Sequence, residues 1–424
     1  MIVLAHGKAF IDGALRQVDI GFDRTIRAIG ARLDLEGERI DCTGKLILPG
    51  VIDVHVHFRD FNERHKETWA TGVRAALRGG VTTVFDMPNN DPPTTTLEQI
   101  QAKRRLAERT GINYGLYLGV TRDNLDQIPK WADEVDAFKL YMGHSTGNLG
   151  MTERWAQRLA FQAVAETGKV LTVHAEDQGL IDAFTQKCRG RNDPKVHGDC
   201  RPKLVESVAV SDALGYAFRY RTKLHLAHVT TELAVHLIES VDDVDVTAET
   251  CPHYLIYTEE ALAEQGPRLK INPPLRSERD REVLWEAIRS GTIDLIASDH
   301  APHTLEEKSR DIWEAPSGMP GVETTLPLIL DAVNRGKLSL GQAVELLSIN
   351  PAKRFGLTRK GKIEIGLDAD LTVVDMELER PVRREHLATR CGWSPYEGMS
   401  LRGWPVMTFV GGRLRGSGQR SAKD

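Results

Sequence analysis

The stretch VIDVHVHF, residues 51–58, is the first of eight short apolar runs that decide the fold. Each run has the length of a buried strand, and most are followed by a segment whose apolar residues recur at the spacing of one helix face. Such alternation predicts parallel strands with helices packed outside, and eight repeats of it predict a (β/α)8 TIM barrel. The runs are Val51–Phe58, Val81–Met87, Tyr114–Val120, Val135–Met142, Val170–Ala175, Lys223–Val229, Val244–Thr250 and Ile293–Ser298.

The two ends of the chain have a different pattern. Short β-rich runs such as Ile2–Leu4 and Ile26–Ile29 alternate with turn residues, and GKIEIGLDADLTVVDM (361–376) and WPVMTFVGGRLRG (404–416) continue this pattern. Each end is too small to bury a core of its own. We therefore expect residues 1–50 and 356–424 to pair into one composite β-sandwich domain, beside a barrel domain that spans residues 51–355.

Composition excludes several classes of protein. The 424 residues carry 55 Lys+Arg against 60 Asp+Glu, a net charge of −5, so the chain has no electrostatic footprint for nucleic acid. No apolar run approaches the ~20 residues that span a bilayer, and the N-terminus does not read as a signal peptide. Five cysteines do not make a disulfide framework. We expect an enzyme of the cytoplasm.

Metal-binding residue types recur at one depth of the predicted barrel. His55 and His57 lie two apart and therefore face the same way on a strand. Other imidazole, amine and carboxylate side chains lie at or near the ends of later runs, which is where barrel enzymes place their chemistry. Imidazoles with a carboxylate suit zinc or a similar divalent ion. The candidate ligands are His55, His57, Lys139, His174, His228 and Asp299.

Lys139 is the unusual member of this set, because an ammonium group would repel a metal ion. Burial and nearby positive charge lower the pKa of an amine. A neutral amine can capture CO2 and form a carbamate, whose two oxygens could bridge two ions. The alternative is an ion pair between Lys139 and a carboxylate.

Eleven motifs, in order along the chain, carry a resemblance to a known family. They are VIDVHVHFRD (51–60), GGVTTVFDMPN (79–89), FKLYMG (138–143), VHAED (173–177), LAHVTT (226–231), AETCPHYL (248–255), INPPLR (271–276), IASDHAPH (296–303), PSGMPGVET (316–324), SINPAKRFGL (348–357) and GLDADLTVVD (366–375). The chain resembles the amidohydrolase superfamily and, within it, the dihydroorotases, with a lysine context closer to the archaeal type. The motif after Arg59 departs from the family, because Asp60-Phe61-Asn62 stands where dihydroorotases usually have Glu-Pro-Gly.

The resemblance implies two zinc ions held by the six ligands above, with N6-carboxylated Lys139 as the bridge. It also implies reversible hydrolysis of (S)-dihydroorotate to N-carbamoyl-L-aspartate in pyrimidine biosynthesis. Asp299 would accept the proton of the attacking water and pass it to the departing nitrogen, and Arg59 would bind the substrate carboxylate. The residues expected to touch substrate are His57, Arg59, Asn89, Asn272, His303, Ser317 and Gly318.

Two other functions stay open at this point. Hydantoinases, dihydropyrimidinases and allantoinases share the fold and metals, so only the residues that contact substrate discriminate, and Arg59 favours a substrate with a carboxylate. A non-catalytic scaffold of the same fold is the second alternative, although all six ligand positions are present. The sequence leaves open whether the chain forms a homo-oligomer or associates with aspartate transcarbamoylase.

Overall fold

The computed structural model describes residues 1–145, 147 and 149–417. Its strands, numbered in chain order, fall into two eight-stranded sheets. They are β1 (Ile2–Ile11), β2 (Ala14–Phe22), β3 (Ile26–Gly30), β4 (Glu38–Asp41), β5 (Leu46–Pro49), β6 (Val51–Val56), β7 (Val81–Asp86), β8 (Asn113–Gly119), β9 (Ala137–Tyr141), β10 (Val170–His174), β11 (Lys223–Leu226), β12 (Val246–Thr250), β13 (Leu295–Ile296), β14 (Leu371–Pro381), β15 (Ser400–Val410) and β16 (Arg413–Ser417).

The second sheet confirms the predicted barrel. Strands β6 to β13 pair in chain order, and every pairing between neighbours is parallel. A parallel bridge between Val56 and His300 brings the two edge strands together, and the backbone N–H of His57 donates to the carbonyl of His300 at 2.8 Å. Each strand overlaps one of the eight apolar runs, so the strand–helix alternation identified the fold.

Helices follow most barrel strands, and caps fix where several of them begin. Thr68, Thr96 and Ser277 form capping boxes, because the side chain of each accepts from a backbone N–H one turn ahead. The helices are α1 (Trp69–Arg78), α2 (Leu97–Glu108), α3 (Ile128–Trp131), α4 (Arg154–Ala165), α5 (Gln178–Cys188), α6 (Val196–Cys200), α7 (Lys203–Tyr220), α8 (Glu232–Glu239), α9 (Pro252–Ile256), α10 (Glu259–Gln265), α11 (Glu278–Ser290), α12 (Leu305–Lys308), α13 (Thr325–Asn334), α14 (Leu340–Val344) and α15 (Asn350–Arg354). None of the described helices is long and apolar enough to cross a membrane.

Alternation along the strands separates the packing face from the chemical face. On β9, Phe138 and Leu140 belong to the core shared with the surrounding helices. Lys139, between them, points to the opposite side because successive side chains on a strand alternate. The same holds on β10, where Leu171 and Val173 pack in that core and His174 faces the other way.

The other sheet joins the two ends of the chain, as the sequence predicted. Its order is β16-β15-β14-β5-β1-β2-β3, with β4 paired to β1. Phe22 on β2 and Phe409 on β15 lie 5.4 Å apart between ring centroids, although three strands separate them in the sheet. The sheet therefore folds over its own apolar core, as a sandwich does. The domain limits at residues 50 and 355 stay a prediction, and residues 418–424 of the predicted β domain lie outside the described residues.

Candidate metal and substrate site

Three predicted ligands converge at the carboxyl ends of β6 and β13. The Nε2 atoms of His55 and His57 lie 3.2 and 3.0 Å from Oδ1 of Asp299. Ligand atoms of these three residues all lie within 4.8 Å of one another, a spacing suited to one metal ion. Asp299 is 242 positions from His57 in the chain. The closing of the barrel, which brings the ends of β6 and β13 together, places the three side chains side by side.

A second pair of imidazoles adjoins the first cluster. Nδ1 of His174 lies 2.9 Å from Nε2 of His228, and the rings of His55 and His228 are 5.5 Å apart between centroids. Two neutral imidazoles at this distance share a hydrogen bond, and the same nitrogens can act as metal ligands when neither carries a proton. His228 and Asp299 both have positive φ, 40° and 44°, a strained conformation that is common at functional sites.

Lys139 lies on β9 beside these side chains and is completely buried. Within the described residues its Nζ has no hydrogen-bond partner, although it lies 5.2 Å from the ring centroid of Tyr141. Burial lowers the pKa of Lys139 to about 8, and the charges of Glu249 and Asp299 oppose this shift only in part. The ion-pair alternative therefore finds no support, and a neutral amine is accessible near neutral pH.

Buried carboxylates behind the imidazoles orient them. Glu249 contacts Nδ1 of His55 at 2.5 Å and Nε2 of His225 at 3.0 Å, and it accepts from the backbone N–H of His228 at 3.3 Å. Burial alone would raise the pKa of Glu249, but His55 and His225 hold it below its usual value. Since the partner of one ring nitrogen fixes the orientation of an imidazole, Glu249 leaves Nε2 of His55 to face Asp299.

Glu176 orients the imidazole of His174 in the same way. Its Oε2 lies 2.9 Å from Nε2 of His174, which leaves Nδ1 to face His228. Arg201 forms an ion pair with the same carboxylate. Glu176 and Glu249 were not predicted as site residues, although they lie in the motifs VHAED and AETCPHYL, because their role depends on side-chain contacts that a sequence does not show.

Arg59 forms one wall of the adjoining cavity and is 1% exposed. Its Nε donates to the carbonyl of Pro302 at 3.3 Å, and its Nη2 lies 3.1 Å from Nε2 of His303. Within the described chain, Nη1 has no hydrogen-bond partner and no carboxylate forms an ion pair with Arg59. A buried guanidinium without a counter-charge is a site for an anionic group of a ligand.

The loop that departs from the family keeps Arg59 in place through its backbone. Arg59, Asp60 and Phe61 have φ of 52°, 54° and 46°, three successive left-handed residues. Asp60 accepts from the N–H groups of Phe61 and Trp69 at 3.0 and 3.1 Å, and the amide of Asn90 donates to the carbonyl of Arg59 at 2.5 Å. These bonds hold a conformation that would otherwise be unfavourable.

The other residues expected at the substrate site fall into two groups. Asn272 contacts Ser317 at 3.1 Å between Oδ1 and Oγ, and both line the cavity with Gly318. Asn89 also lines it, and its Oδ1 lies 2.6 Å from Nδ1 of His57. His303 lies behind Arg59 and is absent from the described cavity wall, so its contact with substrate stays a prediction.

The sequence profile of the Amidohydrolase family matches residues 46–415. The chain belongs to the amidohydrolase family. Dihydroorotase of Halobacterium salinarum is 40% identical over 95% of this chain and 93% of its own length. Dihydroorotase of Pyrococcus abyssi is 40% identical over 88% and 83%, respectively. The resemblance to dihydroorotases is thus confirmed.

Solved structures with this fold superpose on almost the whole chain. L-hydantoinase (dihydropyrimidinase) from Arthrobacter aurescens superposes with a TM-score of 0.95 at 32% identity, covering 99% of this chain and 96% of that one. Dihydropyrimidinase from Brevibacillus agri gives 0.92 at 27% identity, with the same coverage. The barrel and the composite sheet are therefore shared with these two enzymes.

Proposed function

We propose that this amidohydrolase is a dihydroorotase, which interconverts (S)-dihydroorotate and N-carbamoyl-L-aspartate in pyrimidine biosynthesis. The sequence relatives named above support this reading. The observation that carries it is Arg59, a buried guanidinium on the cavity wall whose charge has no carboxylate partner among the described residues. Dihydroorotate carries the carboxylate that this group lacks.

We also propose that the six predicted ligands hold two zinc ions. His55, His57 and Asp299 would bind one ion, and His174 and His228 the other. Lys139 would bridge them as its N6-carboxylate. The orphaned, buried Nζ of Lys139 and the converging imidazole nitrogens fit this assignment. When bound, the zinc ions supply a polarised amide carbonyl and a water of lowered pKa.

Asp299 would act as general base and then as general acid in the reaction. Both imidazoles contact its Oδ1, so we assign the proton to Oδ2. Burial alone would raise the pKa of Asp299, but His55 and His57 keep it well below its usual value. The carboxylate is thus ionised, which is the form that can take a proton from the attacking water and deliver it to the ring nitrogen that departs.

Arg59 and the amides would fix the ring for that attack. The fork of Arg59 suits bidentate binding of the substrate carboxylate. Asn272 offers both a donor and an acceptor to the ureide edge, and Ser317-Gly318 bring backbone groups to the same side. Binding in one orientation places the scissile amide beside the imidazole cluster, which lowers the entropic part of the barrier.

A hydantoinase activity is the second candidate, because the L-hydantoinase from Arthrobacter aurescens shares the whole fold. Purified enzyme should open dihydroorotate with a kcat/KM at least about tenfold above its values for hydantoin and allantoin. Faster opening of either neutral ring would reverse the assignment. Absence of both zinc and turnover would instead support the scaffold alternative.

Arg59 allows a sharper test of substrate class. In R59Q, kcat/KM for dihydroorotate should fall at least about 100-fold, because a charge-assisted hydrogen-bond pair to the carboxylate is lost. Slow turnover of hydantoin, which has no carboxylate, should change far less. R105Q, at an exposed arginine of α2, is the matched control. Equal losses with both substrates would show that Arg59 has only a structural role.

A cytoplasmic location remains part of the proposal. All five cysteines are free thiols, which suits a reducing compartment. Association with other subunits or with aspartate transcarbamoylase stays untested, and gel filtration with and without that enzyme measures it directly.

A further inference from the structure

A second cavity lies between α1, the end of α2 and β16. Its volume is about 1080 Å³, near the upper end of the range for ligand sites. None of its lining residues lines the cavity that holds the imidazole cluster. The proposed hydrolysis therefore does not use this second cavity. We call it the α1 cleft; the residues that line it come from the segments 60–78, 106–110, 387–390 and 415–417, and Glu63, Glu67 and Glu108 of those segments do not line it.

The charge of the α1 cleft is strongly one-sided. Asp60 is the one acidic residue in its described wall, against six arginines. The chain as a whole has more acidic than basic residues, so composition does not explain this concentration. The six are Arg64, Arg74, Arg78, Arg109, Arg390 and Arg415.

Most of this positive charge has no counter-charge. Arg64 pairs with Asp60 at 3.5 Å and Arg78 with Glu323 at 3.4 Å. No ion pair joins the other four arginines, Arg74, Arg109, Arg390 and Arg415, to any carboxylate of the described chain. Like charges around one concavity repel each other, and an anion bound among them would relieve that repulsion.

The guanidinium group of Arg415 lies against one wall of the cleft. Nη2 of Arg415 lies 3.0 Å from the position that a Cβ on Gly111 would occupy. The side chain of Arg415 therefore packs over the turn that follows Arg109. Glycine at position 111 permits this close approach, since any larger side chain would displace the guanidinium.

The floor of the cleft is apolar. Val73, Leu77 and Leu106 line it. Trp69 lines it too, although most of its indole is buried. A ligand that brings an apolar ring would pack against this floor.

We propose that the α1 cleft binds a nucleoside triphosphate, with its phosphates among the four unpaired arginines and its base against the apolar floor. Guanidinium groups bind phosphate oxygens in pairs of parallel hydrogen bonds, and the volume admits a ligand of this size. The proposal concerns a site separate from the imidazole cluster and does not depend on the substrate assigned there.

Titration calorimetry of the full-length, metal-loaded enzyme tests the proposal, with the magnesium salts of ATP, UTP and tripolyphosphate as probes. At least one nucleotide should bind with a Kd below about 1 mM at low salt and more weakly as NaCl is raised. Tripolyphosphate should bind more weakly than the nucleotide if the floor holds the base. Equal binding of tripolyphosphate would overturn the role of the base and assign an oligophosphate site.

Paired substitutions localise the binding. R74Q/R415Q should weaken nucleotide binding at least about thirtyfold, because two charge-assisted contacts are lost. R105Q/R219Q makes the same change of charge at exposed arginines that do not line the cleft, and it should bind as the parent does. Equal weakening in both variants, or no binding to the parent, would refute the site. Tight binding of an oligoglutamate peptide without any nucleotide binding would likewise overturn it in favour of a protein partner.

Discussion

At the scale of single residues, the site contains two buried polar atoms, Nζ of Lys139 and Nη1 of Arg59, that have no hydrogen-bond partner among the described residues. Lys139 and Arg59 are both cations with almost no exposed surface. Placing either there without a partner is unfavourable, because burial penalises the charged form. Lys139 can escape that penalty by losing its proton, and its pKa of about 8 reflects this. Arg59 cannot lose its proton, so it needs an anion.

Lys139 gives a direct test at this scale. K139A should bind about one metal ion fewer per chain than the parent, measured by mass spectrometry of the metals, because the bridging oxygens are lost. Turnover should fall steeply and recover in part with added short-chain carboxylic acids, which can supply those oxygens. K130A, at an exposed lysine of α3, is the control. Full metal content in K139A would contradict a bridging role.

At the scale of elements, an ion pair ties α2 to the site. Nζ of Lys103 on α2 lies 2.6 Å from Oδ2 of Asp86 at the end of β7 and donates to the carbonyl of Met87 at 2.7 Å. Oδ1 of Asp86 accepts from the backbone N–H of Phe58 at 2.7 Å. Phe58 stands between His57 and Arg59, so this buried pair positions the segment that carries them.

Removing one partner of this pair should therefore be costly. K103M should lower the free energy of unfolding by about 3 kcal/mol, because it leaves the Asp86 carboxylate buried and unpaired. K103M/D86N should lose less than the sum of the two single variants, as expected for groups in contact. Denaturant titration of the four proteins measures the coupling. Strict additivity would show that the two side chains do not interact.

At the scale of the whole molecule, Glu323 links the barrel to the segment that precedes β15. It accepts from the backbone N–H of Ala388 at 2.7 Å and lies 3.4 Å from Arg78 of α1. Burial raises the pKa of Glu323 to about 7, and Arg78 opposes that shift. The folded protein thus keeps a proton that the unfolded chain releases near pH 4.5. Stability should fall as the pH rises from about 4.5 to 7.

The expected size of this effect follows from the shift in pKa. A difference of 2 to 3 pH units corresponds to roughly 3 kcal/mol. E323Q keeps the acceptor for Ala388 but removes the charge, so it should gain stability relative to the parent as the pH rises from 5 to 8. Thermal or denaturant unfolding at both values measures the gain. If stability changes with pH in the same way in both proteins, Glu323 does not titrate between pH 5 and pH 8.

The sequence was informative wherever a local pattern has one structural meaning. HxH at the end of a strand, and His174 and Asp299 at or just beyond strand ends, predicted candidate ligands, and the structure brings these side chains close together. It failed where function depends on contacts between distant segments. Glu249 is 194 positions from His55, and it also contacts His225 on a different strand at 3.0 Å.

Backbone conformation was equally invisible in the sequence. Nothing in Arg59-Asp60-Phe61 predicts three consecutive left-handed residues, because none of them is glycine. Hydrogen bonds with Glu67, Trp69 and Asn90 hold the backbone in this conformation. All three residues lie outside the HxH motif, further along the chain.

The composite sheet also determines the order in which a ribosome can complete the fold. The first strands emerge early, but β5 finds its neighbour β14 only after about 320 further residues have been synthesised. Until then β5 presents an open edge, which is the kind of surface that nascent chains use for mispairing. Chaperone dependence during translation should therefore concentrate on the amino-terminal fifty residues rather than on the barrel.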